Sequence, residues 1–237
     1  MNKQIIILIF ILNIGGFTVE AKAFDWITID KPGATATYID DIDGNRMVGH
    51  YEDESGSHGF LYDGTNWTIL DMPGARSTIL FGISWDNIVG NYIDSTWYPH
   101  GFLYKNGDWI SPFLYAYDID GSNIVGGNKV YNLDTETSNT FNYPGSYETE
   151  IRCISGNNLV GWYMPSSIRG PYTFLYDGET WTTLFYLEMD AYPNGIDGSN
   201  IVGFSMGHGF LYNIDTKNLS NLDMPVDLTP KNCASCN

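Results

Sequence analysis

His58-Gly59-Phe60-Leu61-Tyr62 returns as His100-Gly101-Phe102-Leu103-Tyr104 and again as His208-Gly209-Phe210-Leu211-Tyr212. Between the last two stand a shortened copy, Lys129-Val130-Tyr131, and a variant, Tyr172-Thr173-Phe174-Leu175-Tyr176. A second motif precedes each of the five. An Ile lies six residues before a Val-Gly pair: Ile42/Val48, Ile83/Val89, Ile119/Val125, Ile154/Val160 and Ile196/Val202. A third motif closes the unit, and Trp26-Ile27-Thr28-Ile29-Asp30-Lys31-Pro32-Gly33-Ala34 matches Trp67-Thr68-Ile69-Leu70-Asp71-Met72-Pro73-Gly74-Ala75 position by position. Weaker copies sit at Trp109, Asn142-Tyr143-Pro144-Gly145, Trp181 and Leu219 to Pro225.

A unit of roughly 40 residues with four short runs rich in Ile, Val, Tyr, Trp and Thr, parted by turn residues, is the pattern of a propeller blade. Asp43-Gly44, Asp120-Gly121 and Asp197-Gly198 separate the first and second runs and suit two-residue hairpins. Pro32-Gly33, Pro73-Gly74 and Pro144-Gly145 precede the next first run and suit type II turns, whose third residue needs positive φ. The sequence therefore predicts an all-β, five-bladed β-propeller of four-stranded antiparallel blades over residues 24–225, with an open solenoid as the alternative. Six fourth-type runs serve five blades. The better-matched N-terminal copy, Trp26 to Asp30, is expected to complete the last blade, leaving the tail from about residue 213 as an extra outer strand.

The ends add compartment. Met1-Asn2-Lys3, the apolar run Ile5 to Phe17 and Ala21-Lys22-Ala23 read as a signal peptide over residues 1–23, cleaved near Ala23. The expected location is secreted, periplasmic or cell-surface. No stretch reaches the ~18 apolar residues of a membrane span, so none is expected in the mature chain. Residues 226–237 form a tail carrying Cys233 and Cys236. With Cys153 these are the three cysteines, and either a tail disulfide or a clamp from the tail to Cys153 fits export.

The chain carries 28 acidic and 11 basic residues, a net charge of −17. That balance argues against nucleic acid and anionic lipid as partners, both of which require clustered Lys and Arg. It is compatible with a neutral glycan, cations or a basic protein partner, and the expected partner is a glycan or a protein at the cell exterior.

Taken in order, P-G-A, I-x-x-x-x-x-V-G, H-G-F-L-Y, D-G, W-T and D-x-P-G resemble the HAF repeat, an extracellular bacterial repeat family named for a His-Ala-Phe motif. Gly stands here in place of the Ala. The third unit lacks the His and Phe, and the fourth has Tyr172-Thr173 instead of His-Gly. The resemblance covers residues 24 to 225 and implies export and a propeller-like fold. It implies no activity and no site residues.

Chemistry is sparse. His58, His100 and His208 are equivalent positions of different blades, so they are expected to pin turns rather than converge on a metal. Asp41-Ile42-Asp43-Gly44 and Asp118-Ile119-Asp120-Gly121 resemble the start of a calcium loop but lack the distal bidentate carboxylate. A hairpin explains them, so no cofactor is expected, with calcium as the alternative. No G-x-S-x-G elbow marks a serine hydrolase, and no acidic pair stands out for glycoside hydrolysis. Binding residues concentrate on variable loops over a rigid frame. The connection between second and third strands is the variable one, offering Trp97 and Tyr98 in unit two and Trp162, Tyr163 and Arg169 in unit four. The expected function is a non-enzymatic binding module, lectin-like through these rings on one propeller face. An extracellular polysaccharide hydrolase or lyase, or a structural surface protein, is the alternative.

Overall fold

The computed structural model describes residues 28–166, 171–184, 191–205 and 207–222. Among these residues, twenty strands form five four-stranded antiparallel sheets, each a simple meander, and these are the blades of a five-bladed β-propeller. The chain divides at Ala116/Tyr117 into two compact units.

The first unit holds two blades. Blade 1 comprises β1 (Ala36–Asp43), β2 (Arg46–Asp53), β3 (Gly56–Tyr62) and β4 (Trp67–Ile69). Blade 2 comprises β5 (Ser77–Ser84), β6 (Asn87–Ile93), β7 (Pro99–Lys105) and β8 (Asp108–Phe113). Val48 of blade 1 packs with Leu80, Ile83, Ile88 and Phe102 of blade 2, all nearly solvent-free.

The second unit holds three. Blade 3 is the smallest: β9 (Asp118–Asp120), β10 (Asn123–Gly126), β11 (Lys129–Asn132) and β12 (Thr137–Thr140). Blade 4 runs β13 (Ser146–Ser155), β14 (Asn158–Pro165), β15 (Tyr172–Tyr176) and β16 (Trp181–Thr183). Blade 5 runs β17 (Ala191–Asp197), β18 (Asn200–Ser205), β19 (His208–Asn213) and β20 (Asn218–Asn221). Val125 joins the core of blade 4, and Val160 and Cys153 join a core with Ile201, Phe210 and Tyr212 of blade 5. In blade 5, Val202 is 38% exposed and Ile201 takes the fully buried place.

The repeat signature follows from this packing. The Phe of each full third strand is buried in its blade: Phe60, Phe102, Phe174 and Phe210. Trp67, Trp109 and Trp181 meet the first three edge-on at 4.7, 4.9 and 5.0 Å, and Tyr62, Tyr104 and Tyr176 lie against the same indoles. Edge-to-face pairs of this kind add stability beyond their buried area.

The Val-Gly pair has a steric origin. In blades 1, 2, 4 and 5 a β-bulge shifts the register of the first strand, between Ile39/Asp41, Leu80/Gly82, Ile151/Cys153 and Pro193/Gly195. The glycine of β2, β6, β14 and β18 lies opposite. A Cβ on Gly49, Gly90, Gly161 or Gly203 would sit 2.0, 2.1, 1.9 or 2.4 Å from the facing carbonyl oxygen. No side chain fits there.

Three expectations about turns resolve at residue level. The Pro-Gly turns are type II as predicted: Gly33, Gly74 and Gly145 have φ of 86, 79 and 78°, and Ala34, Ala75 and Ser146 donate back to Lys31, Met72 and Tyr143. The Asp-Gly hairpins are shifted by one residue. Asp43 pairs with Arg46, Asp120 with Asn123 and Asp197 with Asn200, so each Asp ends a strand and the Gly opens the two-residue turn. The surplus fourth run is resolved by β20, which pairs with β19 as the fourth strand of the last sheet. The expectation that Trp26 to Asp30 would fill that place is thus corrected. β20 follows β19 through a short hairpin and closes the sheet at a low loop-entropy cost. Trp26, the signal-peptide residues and the 226–237 tail lie outside the described residues.

The Asp-x-Asp pairs do more than end a strand. Asp41 Oδ2 accepts the Ile83 N–H at 2.7 Å, and Asp43 Oδ2 accepts the Trp85 N–H at 2.7 Å, so blade 1 clasps the first strand of blade 2. Asp118 and Asp120 do the same for Ile154 and Gly156, at 2.8 and 2.6 Å. Between blades 4 and 5 the place of the aspartate is taken by Ser155, whose Oγ accepts the Gly198 N–H at 3.2 Å. Burial raises the Asp41 carboxyl from 3.8 to about 6, against the lowering effect of the N–H groups of Ile83 and Ile42.

Two outcomes follow. Gly161→Ala should cost roughly 3 kcal/mol, since backbone must move to admit the methyl group; a urea midpoint unchanged from the parent would refute the steric account. The raised Asp41 pKa means the folded state holds its proton longer than the unfolded chain. Asp41 therefore contributes a loss of stability as pH rises from about 4 to 6, on the order of 3 kcal/mol at most. Asp41→Asn should lack this component, so the stability gap between parent and variant should change in the variant's favour across that window in urea titrations.

Candidate functional site

The β6–β7 connection is a five-residue hairpin, Asp94-Ser95-Thr96-Trp97-Tyr98. The Trp97 N–H donates to the Asp94 carbonyl at 3.1 Å, and the Asp94 N–H to the Tyr98 carbonyl at 3.0 Å. Asp94 locks the loop from inside. Its Oδ1 accepts the N–H groups of Thr96 and Tyr98 and the Thr96 hydroxyl, and Oδ2 meets His100 Nε2 at 2.9 Å. These bonds hold its carboxyl well below the usual range, the Thr96 hydroxyl contributing most.

Trp97 sits at φ 71°, in the left-handed region where Gly or Asn is favoured. Trp97 is 69% exposed and Tyr98 68%. The Arg76 guanidinium lies over the indole, 4.2 Å from the ring centroid. Arg76 is placed by its own N–H, which donates to the Ile93 carbonyl at 2.8 Å at the end of β6, and by Nε, which donates to the Ser95 carbonyl at 3.3 Å. A large apolar ring is thus held in solvent by a cation on one face and a locked hairpin beneath.

The other sequence candidates separate. Trp162 on β14 is half-buried and pairs with Glu150 and Thr173. Tyr163 is in the core, 8% exposed, stacked on Tyr143 at 3.6 Å and bonded to the Thr183 hydroxyl at 2.9 Å. Strand alternation turns it inward, so its ring is not a surface platform. Arg169, Cys233 and Cys236 lie outside the described residues, and Cys153 is 1% exposed between blades 4 and 5. Arg76 was missed by sequence reasoning. Its one signal was a cation directly after Pro73-Gly74-Ala75 in an acidic chain.

The histidines pin hairpins. His58 Nδ1 meets Asp71 Oδ2 at 2.7 Å, and Nε2 meets Ser55 Oγ at 2.8 Å. These are the spacings of a Ser-His-Asp relay. However, the single Ser55 hydroxyl proton goes to Asp53 Oδ1, which is closer at 2.6 Å and also accepts the Ser55 N–H. Asp53 therefore occupies the space and the amide donor that a developing oxyanion would need. Asp94, Thr96 and His100 repeat the lock in blade 2, which marks it as scaffold. His50 is held by Asp40 at 3.0 Å and stacks on Tyr38. Among the described residues, no three His, Cys, Asp or Glu side chains are grouped to hold a metal ion.

A second exposed indole, Trp85, is 77% exposed at φ 54° in the β5–β6 turn, at the other end of β6 from Trp97. Its N–H and carbonyl are tied to Asp43 and Arg46.

No protein-family model matches the chain, and no curated protein matches it. A solved structure described as the crystal structure of the tricorn protease is similar over 85% of this chain, with a TM-score of 0.56 and 14% identity. This chain spans 24% of that one. The likeness is one of fold.

The left-handed strain at Trp97 has a measurable sign. Trp97→Gly should be more stable than Trp97→Ala by about 1 kcal/mol, because only Gly takes φ near +70° without cost. Equal melting temperatures would show that the backbone is unstrained.

Proposed function

We propose that this chain is an exported interaction module that binds sugar through Trp97 and Tyr98 on the β6–β7 hairpin. The observation that carries this reading is the indole of Trp97, kept 69% exposed in a left-handed backbone on a hairpin that Asp94 locks. Folding alone would place Gly there and turn an indole inward. Strained residues held by an over-determined frame concentrate at binding sites. Exposed, rigid aromatic rings stack on the apolar faces of sugars and lose little side-chain entropy in doing so. The N-terminal apolar run, the acidity and the resemblance to the HAF repeat support a place outside the cell.

The test is a glycan-array screen of the chain, with Trp97→Ala and Trp162→Ala alongside. Binding to a defined glycan set should weaken about tenfold or more in Trp97→Ala, the loss typical of a central aromatic anchor. Trp162→Ala should bind as the parent does. Silence across the array would overturn the sugar reading and favour a protein partner.

A further inference from the structure

We infer that the sugar bound at Trp97 is acidic, and that Arg76 receives its carboxylate; this rests on the reading above and names its ligand class. Three arginines are described. Arg46 is paired with Asp43 at 3.0 Å and Asp86 at 3.3 Å, and Arg152 with Glu150 at 3.2 Å. Arg76 has no carboxylate within ion-pair distance among the described residues, although the chain's net charge is −17 and acids outnumber bases 28 to 11.

The geometry shows what Arg76 does with its surface. The guanidinium gives its flat face to the indole at 4.2 Å, and Nε reaches the Ser95 carbonyl at 3.3 Å. The two Nη groups lie in the guanidinium plane, so stacking leaves their N–H edges outward. This planar fork matches a carboxylate in bidentate fashion. Stacking also fixes the fork before a ligand arrives, which lowers the entropy lost on binding. The nearest loop carboxylate, Asp94, is committed inward to Thr96, Tyr98 and His100. It forms no ion pair with Arg76, its nearer titratable partner being His100, and its side chain keeps 30% exposure.

The indole has one face under Arg76, and the residues Trp97 and Tyr98 are 69% and 68% exposed. The ligand this arrangement fits is an oligosaccharide, one ring stacked on the open aromatic surface and a carboxylate of the same or adjoining residue at the Arg76 edge. A lone anion would leave the rings unused, and a neutral glycan would leave Arg76 unpaired.

The experiment is calorimetric titration of the full chain with a linear tetramer of galacturonic acid, its methyl ester and a sulfated neutral tetramer. The acid should bind about tenfold tighter than its ester, and its affinity should fall as salt rises. Arg76→Gln should remove that tenfold preference, lowering acid binding about tenfold more than ester binding, and Arg76→Lys should restore it in part. Three results overturn the proposal while the Trp97 reading stands. These are equal binding of acid and ester, equal losses for both in Arg76→Gln, or preference for the sulfated tetramer. No binding by any tetramer, with a silent array, overturns both.

Discussion

A carbonyl oxygen pressed against an α-carbon sets the geometry of four of the five blades. Opposite the bulge in the first strand, the second strand comes so close that a Cβ would sit 1.9 to 2.4 Å from oxygen. Only glycine permits this. The bulge adds a residue to the first strand and increases its local twist, and the neighbouring Val48, Val89 and Val160 reach full burial. Blade 3 lacks the bulge, although its Val125 is fully buried too. Its first strand is only Asp118–Asp120 and pairs without a register shift, and Gly126 closes a tight hairpin to Lys129.

Polar groups are used economically around that frame. Aspartates end strands, lock hairpins and reach across to backbone N–H groups of the next blade, so most of the acidity near the loops is spent on backbone donors. Such charge-assisted bonds are stronger than neutral ones, which lets short strands and small sheets hold a fixed form. Against this background, two features break the economy together. Trp97 is apolar and exposed, and Arg76 is cationic and lacks an acid among the described residues. Each is placed by the same hairpin, and each is unhelpful to folding by itself. Their coincidence is what separates this loop from the equivalent turn of blade 1. There Asp53, Ser55 and His58 form a self-contained lock ending in Gly56, at φ 137°.

Trp85 sharpens the contrast. It shares exposure and positive φ with Trp97, yet its backbone is explained by the clasp from Asp43 and Arg46. The strain there belongs to the joint between blades 1 and 2. At Trp97 the hydrogen bonds explain the turn, but nothing in the frame requires an indole on it.

The sequence by itself determined the number of blades, their four-stranded meander, the Pro-Gly turns and His58 and His100 as turn locks. Each of these is local or repeats at a fixed interval, so periodicity and turn chemistry suffice to read it. Tertiary structure alone decided the rest. Which fourth run closes blade 5 depended on the short hairpin from β19 to β20. Tyr163 and Trp162 are neighbours with the same chemistry, and only the pairing of β14 put one in the core and left the other at its edge. Asp41 and Ile83 stand forty-two residues apart, yet share a hydrogen bond. Arg76 reaches Trp97 because its N–H is bonded to Ile93 at the far edge of β6. A repeat tells each residue its place within a blade. The contacts that join blades, and those that build a site, form between residues whose separation along the chain carries no pattern.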